Sequence, residues 1–306
     1  MSRRVTIIVA SLVALAGLGW LALPLAFLPS FRSELSGSPA DVGLAFERIA
    51  LGVESPPVAL VAWWMPAPRA RGVVILLHDG NSNRSFLWSN GLALAQALHE
   101  RGYHVLAPDL RGHGESGDAE AAPIGRSLAP DLSVWIDEVE HRAGLLPVGV
   151  VGFGLGGQVA IYAGARDPRI RAVVADSTWA DLRSSVAVSI PSATGLPRWL
   201  VRSSLWTAEH VYGIDFEASR AVDVVAALSG RLLLITNEED PQVPRRQLRW
   251  LAREAGQAEV WVTPAPLPEH PLYASAGPWG THSRSNFLYP AEYAERVGVF
   301  LAARME

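Results

Sequence analysis

Val148-Gly149-Val150-Val151-Gly152-Phe153-Gly154-Leu155-Gly156-Gly157 is the stretch that decides the fold of this chain. It starts apolar and rich in valine, as a strand buried on both faces requires, and then enters a glycine-rich corner. Gln158 to Ala165 follows as a helix. Strand, tight corner and helix make up the repeating unit of a parallel α/β sheet. The same alternation extends outward on both sides. Gly72 to Leu77, Tyr103 to Ala107, Ile170 to Ala175, Leu232 to Thr236 and Val260 to Thr263 read as further strands. Leu92 to Arg101, closed by Gly102, and Asp131 to Gly144 read as helices. Glu47 to Leu51 and Val58 to Met65 read as an opening antiparallel pair, the second ending before Pro66. Right-handed crossovers then give a mainly parallel sheet, whose ligands bind at the carboxyl ends of its strands.

The chain has 306 residues, 49% hydrophobic, with a formal charge of −4. Most of that length suits one large α/β domain rather than two small ones. No basic stripe is present, which argues against nucleic acid as a partner. Cysteine is absent, so disulfides and thiolate metal sites are ruled out. No metal-ligand cluster or phosphate-binding loop stands out either, and no cofactor is expected.

The amino terminus carries a second signal. Residues 1–4 are a short basic head, and Val5 to Leu28 is apolar and free of charge. At about 1.5 Å per residue, a helix of that length crosses a hydrocarbon core. Arg3 and Arg4 ahead of it favour a cytoplasmic amino terminus, although Arg32 weakens the bias. The expectation is a single-pass signal anchor in the cell membrane, with the soluble domain on the non-cytoplasmic side. A cleaved signal peptide is the rival reading, but its apolar region would be shorter and no clear small-x-small cleavage site follows. Residues 29–44, rich in Ser, Pro and Gly, read as a tether, leaving 45–306 as the domain.

Five motifs in order make the domain resemble the α/β-hydrolase superfamily, in particular its membrane-associated, prolyl-oligopeptidase-like esterase and peptidase branch. Leu76-Leu77-His78 ends a strand where that family has His-Gly. Asp109-Leu110-Arg111-Gly112-His113-Gly114-Glu115-Ser116 is similar to its Asp-x-Arg-Gly-His-Gly-x-Ser turn. Gly152 to Gly157 resembles the nucleophile elbow, Gly-x-Ser-x-Gly, with Gly154 in place of the serine. Asp240, after Leu232 to Thr236, resembles the triad acid, and Gly280-Thr281-His282-Ser283 the histidine loop. The resemblance implies an α/β-hydrolase fold with a helical cap inserted at about 179–221.

In that family, serine attacks a carbonyl, histidine takes its proton, and a carboxylate orients the imidazole. Gly154 has no oxygen to attack with, so the resemblance implies a vestigial triad of Asp240 and His282. His270, nearer the last strand, is the competing histidine. The oxyanion hole would use the N–H groups of Leu155 and Gly80. Asp79 stands where the family has glycine: pointing inward it would repel an oxyanion, and pointing outward it would leave the hole intact. Arg111 and His113 read as structural pins of their turn. Ser177 reads as a cap of the next segment rather than a substitute nucleophile. Trp199 and Trp206 read as lining a pocket or packing on the core. The expected function is a catalytically degenerate, esterase-like protein that binds a small ester-like or peptide-like ligand, or a protein partner. The alternative is a hydrolase or lyase whose His282–Asp240 dyad activates water or substrate directly.

Overall fold

A computed structural model describes residues 17, 19–26, 32–54, 57–118, 124–272 and 280–305. Its core is an eight-stranded sheet in the order β1-β2-β4-β3-β5-β6-β7-β8. The strands are β1 (Glu47–Glu54), β2 (Pro57–Met65), β3 (Gly72–Leu77), β4 (Tyr103–Pro108), β5 (Val148–Phe153), β6 (Ile170–Asp176), β7 (Leu232–Asn237) and β8 (Glu259–Thr263). β1 pairs antiparallel with β2, and β2 with β4; every other pairing is parallel. The principal helices are α1 (Gly91–Glu100), α2 (Ala129–Ala143), α3 (Leu155–Gly164), α4 (Leu182–Thr194), α5 (Arg198–His210), α6 (Arg245–Ala255), α7 (Ser285–Leu288) and α8 (Pro290–Met305).

Side chains alternate across the central strands with the period of two that a pleated strand imposes. Val73, Ile75, Leu77, Val148 and Val150 face one core, against α2, α3 and α6. Val74, Leu76, Val151 and Phe153 face the other, against α1 and α8. Both layers are filled, so β3 and β5 are buried throughout, which is why they read as unbroken apolar runs. α4 and α5 form the cap over a small apolar cluster of their own that includes Ile190, Val201, Leu205 and Phe216.

Residues 32–44, the described part of the stretch 29–44 that reads as a tether, are hydrogen-bonded to the domain at their start. Arg32 Nη1 donates to the carbonyls of Gly114 and Ser116, both at 2.6 Å, and Asn83 Nδ2 donates to the carbonyls of Ser33 and Glu34 at 3.0 and 2.9 Å. The cap tryptophans are not buried against the core: Trp199 is 70% exposed and Trp206 47%.

Most of the segment expected to span the membrane lies outside the described residues. Among those described, no helix is long and apolar enough to cross a membrane. The described end of that segment meets the cap. Trp20 stacks on Trp206 with ring centroids 6.3 Å apart, its Nε1 donates to Ser203 Oγ at 3.0 Å, and Tyr212 donates to the Leu21 carbonyl at 2.8 Å.

Candidate active site

Four strand ends of the parallel sheet supply the site. Asp79 follows β3, Gly154 follows β5, Asp176 closes β6 and Asp240 follows β7; His282 stands on the loop that leads into α7. Gly154 occupies the corner between β5 and α3 with φ 50° and ψ −110°, a conformation in which a side chain is strained. The corner is also crowded. A Cβ at Gly152 would meet the backbone of Gly156, and one at Gly156 would meet the carbonyls of Leu77 and His78.

His282, not His270, pairs with Asp240. Its Nδ1 lies 3.1 Å from Asp240 Oδ1 and 3.0 Å from Oδ2. Asp240 Oδ1 also accepts the N–H groups of Gln242 and Val243, each at 2.9 Å, which fixes the carboxylate within its own turn. His270 Nδ1 instead accepts the N–H of Leu272 at 3.1 Å, a local bond away from Asp240.

Asp79 points inward. Its Oδ1 accepts the N–H of Gly80 at 2.7 Å and the N–H of Leu155 at 3.0 Å, the two donors expected to form the oxyanion hole. Its Oδ2 lies 3.1 Å from His282 Nε2 and accepts Ser283 Oγ at 2.8 Å. A Cβ built on Gly154 would fall closer than 3.0 Å to Oδ1, Cγ and Oδ2 of this same carboxylate. The space that an elbow side chain would occupy is therefore filled by Asp79. Residues 79 and 154 exclude each other's side chains: with glycine at 154 the carboxylate enters, and with serine there it could not.

The loop carrying Asp79 is held on both sides. Leu110 N–H donates to His78 Nε2 at 2.9 Å, which leaves the ring proton on Nδ1 to donate to the Asp79 carbonyl at 2.7 Å. Burial and the neighbouring His113 pull the His78 pKa down to about 3, which keeps this tautomer neutral. His113 Nε2 meets the Gly80 carbonyl at 2.6 Å, and Arg111 forms a two-point pair with Asp131 at 3.0 and 2.6 Å. Arg111 and His113 thus act beyond their own turn, since His113 fastens the loop that presents Asp79.

The charges follow from these distances. Burial opposes the protonated form of His282, but carboxylates on both sides, Asp240 and Asp79, outweigh it and push the pKa up to about 10. Burial also opposes the Asp79 carboxylate. The His282 charge, its hydrogen bond and the two backbone N–H groups outweigh that and hold Asp79 well below the usual carboxylate range. At neutral pH the ground state is an imidazolium between two carboxylates.

Ser177 does not cap the next segment; Asp181 does, accepting the N–H of Ser184 at 2.6 Å. Ser177 Oγ donates to Asp176 Oδ1 and accepts the Ser283 N–H, both at 3.0 Å. Ser177 and Ser283 have φ values of 54° and 55°, strained for residues with a side chain. Asp176 lies beneath them, and burial pushes its pKa up to about 7. Sequence reasoning missed Asp176 and Ser283. The one available signal was the position of Asp176 at the end of a buried strand.

A parallel sheet with an antiparallel entry, a glycine corner after β5 and an acid–histidine pair at the strand ends define an α/β-hydrolase fold. The family model described as "Serine aminopeptidase, S33" matches residues 68–217. The uncharacterized protein YfhR of Salmonella typhi is 32% identical over 152 residues, covering 44% of this chain and 50% of that protein. Protein ABHD12B of Homo sapiens is 31% identical over 102 residues, covering 33% of this chain and 27% of that protein. The chain therefore spans half or less of the length of these curated relatives. Among solved structures, the Pyrococcus furiosus esterase Pf2001 is similar over 90% of this chain and 99% of its own, with a TM-score of 0.71 at 24% identity. The chain has the α/β-hydrolase fold and over residues 68–217 is similar to the serine aminopeptidase family.

Proposed function

We propose that this protein is a membrane-anchored member of the superfamily that no longer performs serine-type acyl transfer. The observation that carries this reading is that Asp79 Oδ1 already accepts both N–H groups of the oxyanion hole, from Gly80 and Leu155. A substrate carbonyl oxygen has no place there, and a developing oxyanion would meet a resident negative charge. The elbow has no hydroxyl to attack with. In serine proteases, loss of the nucleophile alone costs about a millionfold in turnover. The apolar stretch Val5 to Leu28 supports the anchor, with the domain on the non-cytoplasmic side.

The test is whether the purified full chain turns over p-nitrophenyl butyrate and takes up a fluorophosphonate probe. The expected result is no covalent labelling, and ester turnover no greater than in His282→Ala. Stoichiometric labelling, or turnover lost in His282→Ala, would overturn the reading. A second reading, in which the His282–Asp240 dyad still drives a hydrolysis of another kind, is favoured by one observation. The dyad keeps its pairing at 3.0 Å, with Nε2 on a carboxylate oxygen in the nucleophile's place.

A further inference from the structure

We propose that the outer face of cap helix α5 is a membrane-docking surface, seated in the interfacial layer of the bilayer that the stretch Val5 to Leu28 enters. The inference rests on the anchor in the reading above. α5 has two faces. Val201, Ser204, Leu205 and Ala208 are buried within the cap. Trp199, Arg202, Trp206 and His210 recur at the spacing of one helical face and are all exposed. Val211 and Tyr212, also exposed, continue that face past the end of the helix. Trp206 stacks on His210 with ring centroids 4.6 Å apart. The one acid of the helix, Glu209, turns to Arg183 and accepts its Nη1 at 2.5 Å. Tryptophan, tyrosine and arginine on one face suit a bilayer interface, where the ring lies in apolar surroundings and its polar end stays wet.

The occupant follows from where the apolar stretch meets this face. Trp20 stacks on Trp206 and donates to Ser203 Oγ, and Tyr212 donates to the Leu21 carbonyl. Trp20 and Leu21 stand well inside the apolar stretch, several residues before its end at Leu28. As a helix the stretch is about 36 Å long, about 6 Å more than a hydrocarbon core. Arg3 and Arg4 keep its amino end from being drawn into that core. In the shallowest placement, therefore, the outer boundary falls near Pro24 and Trp20 lies about 6 Å beneath it. Tilting the helix only takes Trp20 deeper. A cap helix in contact with Trp20 cannot stay in bulk water. An interfacial amphipathic helix buries its apolar face about 5–10 Å into the headgroup and acyl boundary, which is the same depth.

Docking holds the domain at two points, the anchor and α5, and so fixes its orientation. The cap is inserted after β6, at the carboxyl edge of the sheet, so this edge faces the bilayer. The opposite edge faces away, and Leu145, which precedes β5 there, is 88% exposed. Arg198 and Arg202, both exposed beside Trp199, are placed to meet lipid phosphates, which a guanidinium binds through two parallel hydrogen bonds.

The chain has no cysteine, so a single introduced thiol takes an environment-sensitive dye without competition. The full chain is placed, one copy per disc, in lipid nanodiscs of phosphatidylcholine and phosphatidylglycerol, as Trp199→Cys or as Leu145→Cys. Both sites are exposed, so neither dye disturbs the core. A lipid carrying a nitroxide near its headgroup is expected to quench most of the emission at 199 and little at 145. Iodide in the water is expected to do the reverse. Iodide quenching at 199 as strong as at 145 would overturn the inference, and so would a dye at 199 that the nitroxide lipid leaves unquenched. Shielding that appears only when a disc holds two chains would assign the face to a second copy, and would overturn it too. Alkaline carbonate extraction of the parent chain from vesicles tests the anchor by itself. An extracted chain would remove the anchor and the inference together, whereas a retained chain with its 199 dye in water would remove the inference alone.

Discussion

Gly154→Ser puts the mutual exclusion of residues 79 and 154 to a quantitative test. A side chain at this corner must adopt φ 50°, at a strain of about 1–3 kcal/mol. Its Cβ also cannot coexist with the Asp79 carboxylate, which lies closer than 3.0 Å to the built position. Displacing Asp79 sacrifices at least one charge-assisted hydrogen bond, worth about 1.5–3 kcal/mol. The expected destabilisation is therefore about 2.5–6 kcal/mol. At roughly 2–4 °C per kcal/mol for a domain near this size, the loss in Tm is roughly 5–24 °C. In an Asp79→Gly background the carboxylate is absent, and the same substitution should cost only the strain, about 1–3 kcal/mol. Thermal unfolding of the four chains of this cycle gives the coupling directly. The double variant should also regain weak turnover of p-nitrophenyl butyrate that disappears with His282→Ala, while Gly154→Ser alone should not. Equal costs of Gly154→Ser in both backgrounds would refute the placement of Asp79 in the elbow.

Asp176→Asn should remove a pH-dependent penalty. Burial raises the folded pKa of Asp176 to about 7, so the native state holds a proton that the unfolded chain releases near pH 4. Stability is lost to this group as pH rises from about 4 to about 7, and the variant should gain on the parent over that window in urea titrations at a series of pH values. His282 works in the opposite sense on the alkaline side. With a folded pKa raised to about 10, its contribution is complete below about 6.5 and lost as pH rises through 10. Alkaline unfolding should therefore be steeper in the parent than in His282→Gln. For the anchor, protease added outside intact cells, or outside spheroplasts where an outer membrane exists, should remove the domain, and protection would refute the orientation.

The sheet was legible because β3 and β5 are buried on both faces and carry no polar residue to blur the pattern. Helix α3 begins at Leu155, a turn earlier than Gln158, because the glycines of the corner are already helical. Asp240 and His282 were found from motif order, each on a loop at the carboxyl edge of the sheet. The direction of Asp79 was not legible. It depends on a Cβ missing from a residue on another strand, and on hydrogen bonds from His78 and His113 to its loop. The roles of Ser177 and Ser283 beside Asp176 and Asp79 were not legible, because a left-handed serine leaves no mark in a sequence. The Ser-, Pro- and Gly-rich stretch before the domain has the composition of a tether, yet its backbone carbonyls serve Asn83 and its Arg32 reaches the Gly114 turn. Trp199 and Trp206 are apolar by composition and exposed by position, a difference that only the cap's packing decides.

The substitution of a carboxylate for the serine side chain is tested most directly at His282. In the full chain in micelles, imidazole nitrogen NMR gives the titration of each histidine, and the signal missing from His282→Gln identifies the one that matters. His282 is expected to stay protonated far above the ordinary histidine value of 6.5, to about 10, in the parent. In Asp79→Ala it is expected to titrate at clearly lower pH, because one of its two flanking carboxylates is gone. An ordinary titration in the parent, or one that Asp79→Ala leaves unmoved, would mean that Asp79 does not stand against His282.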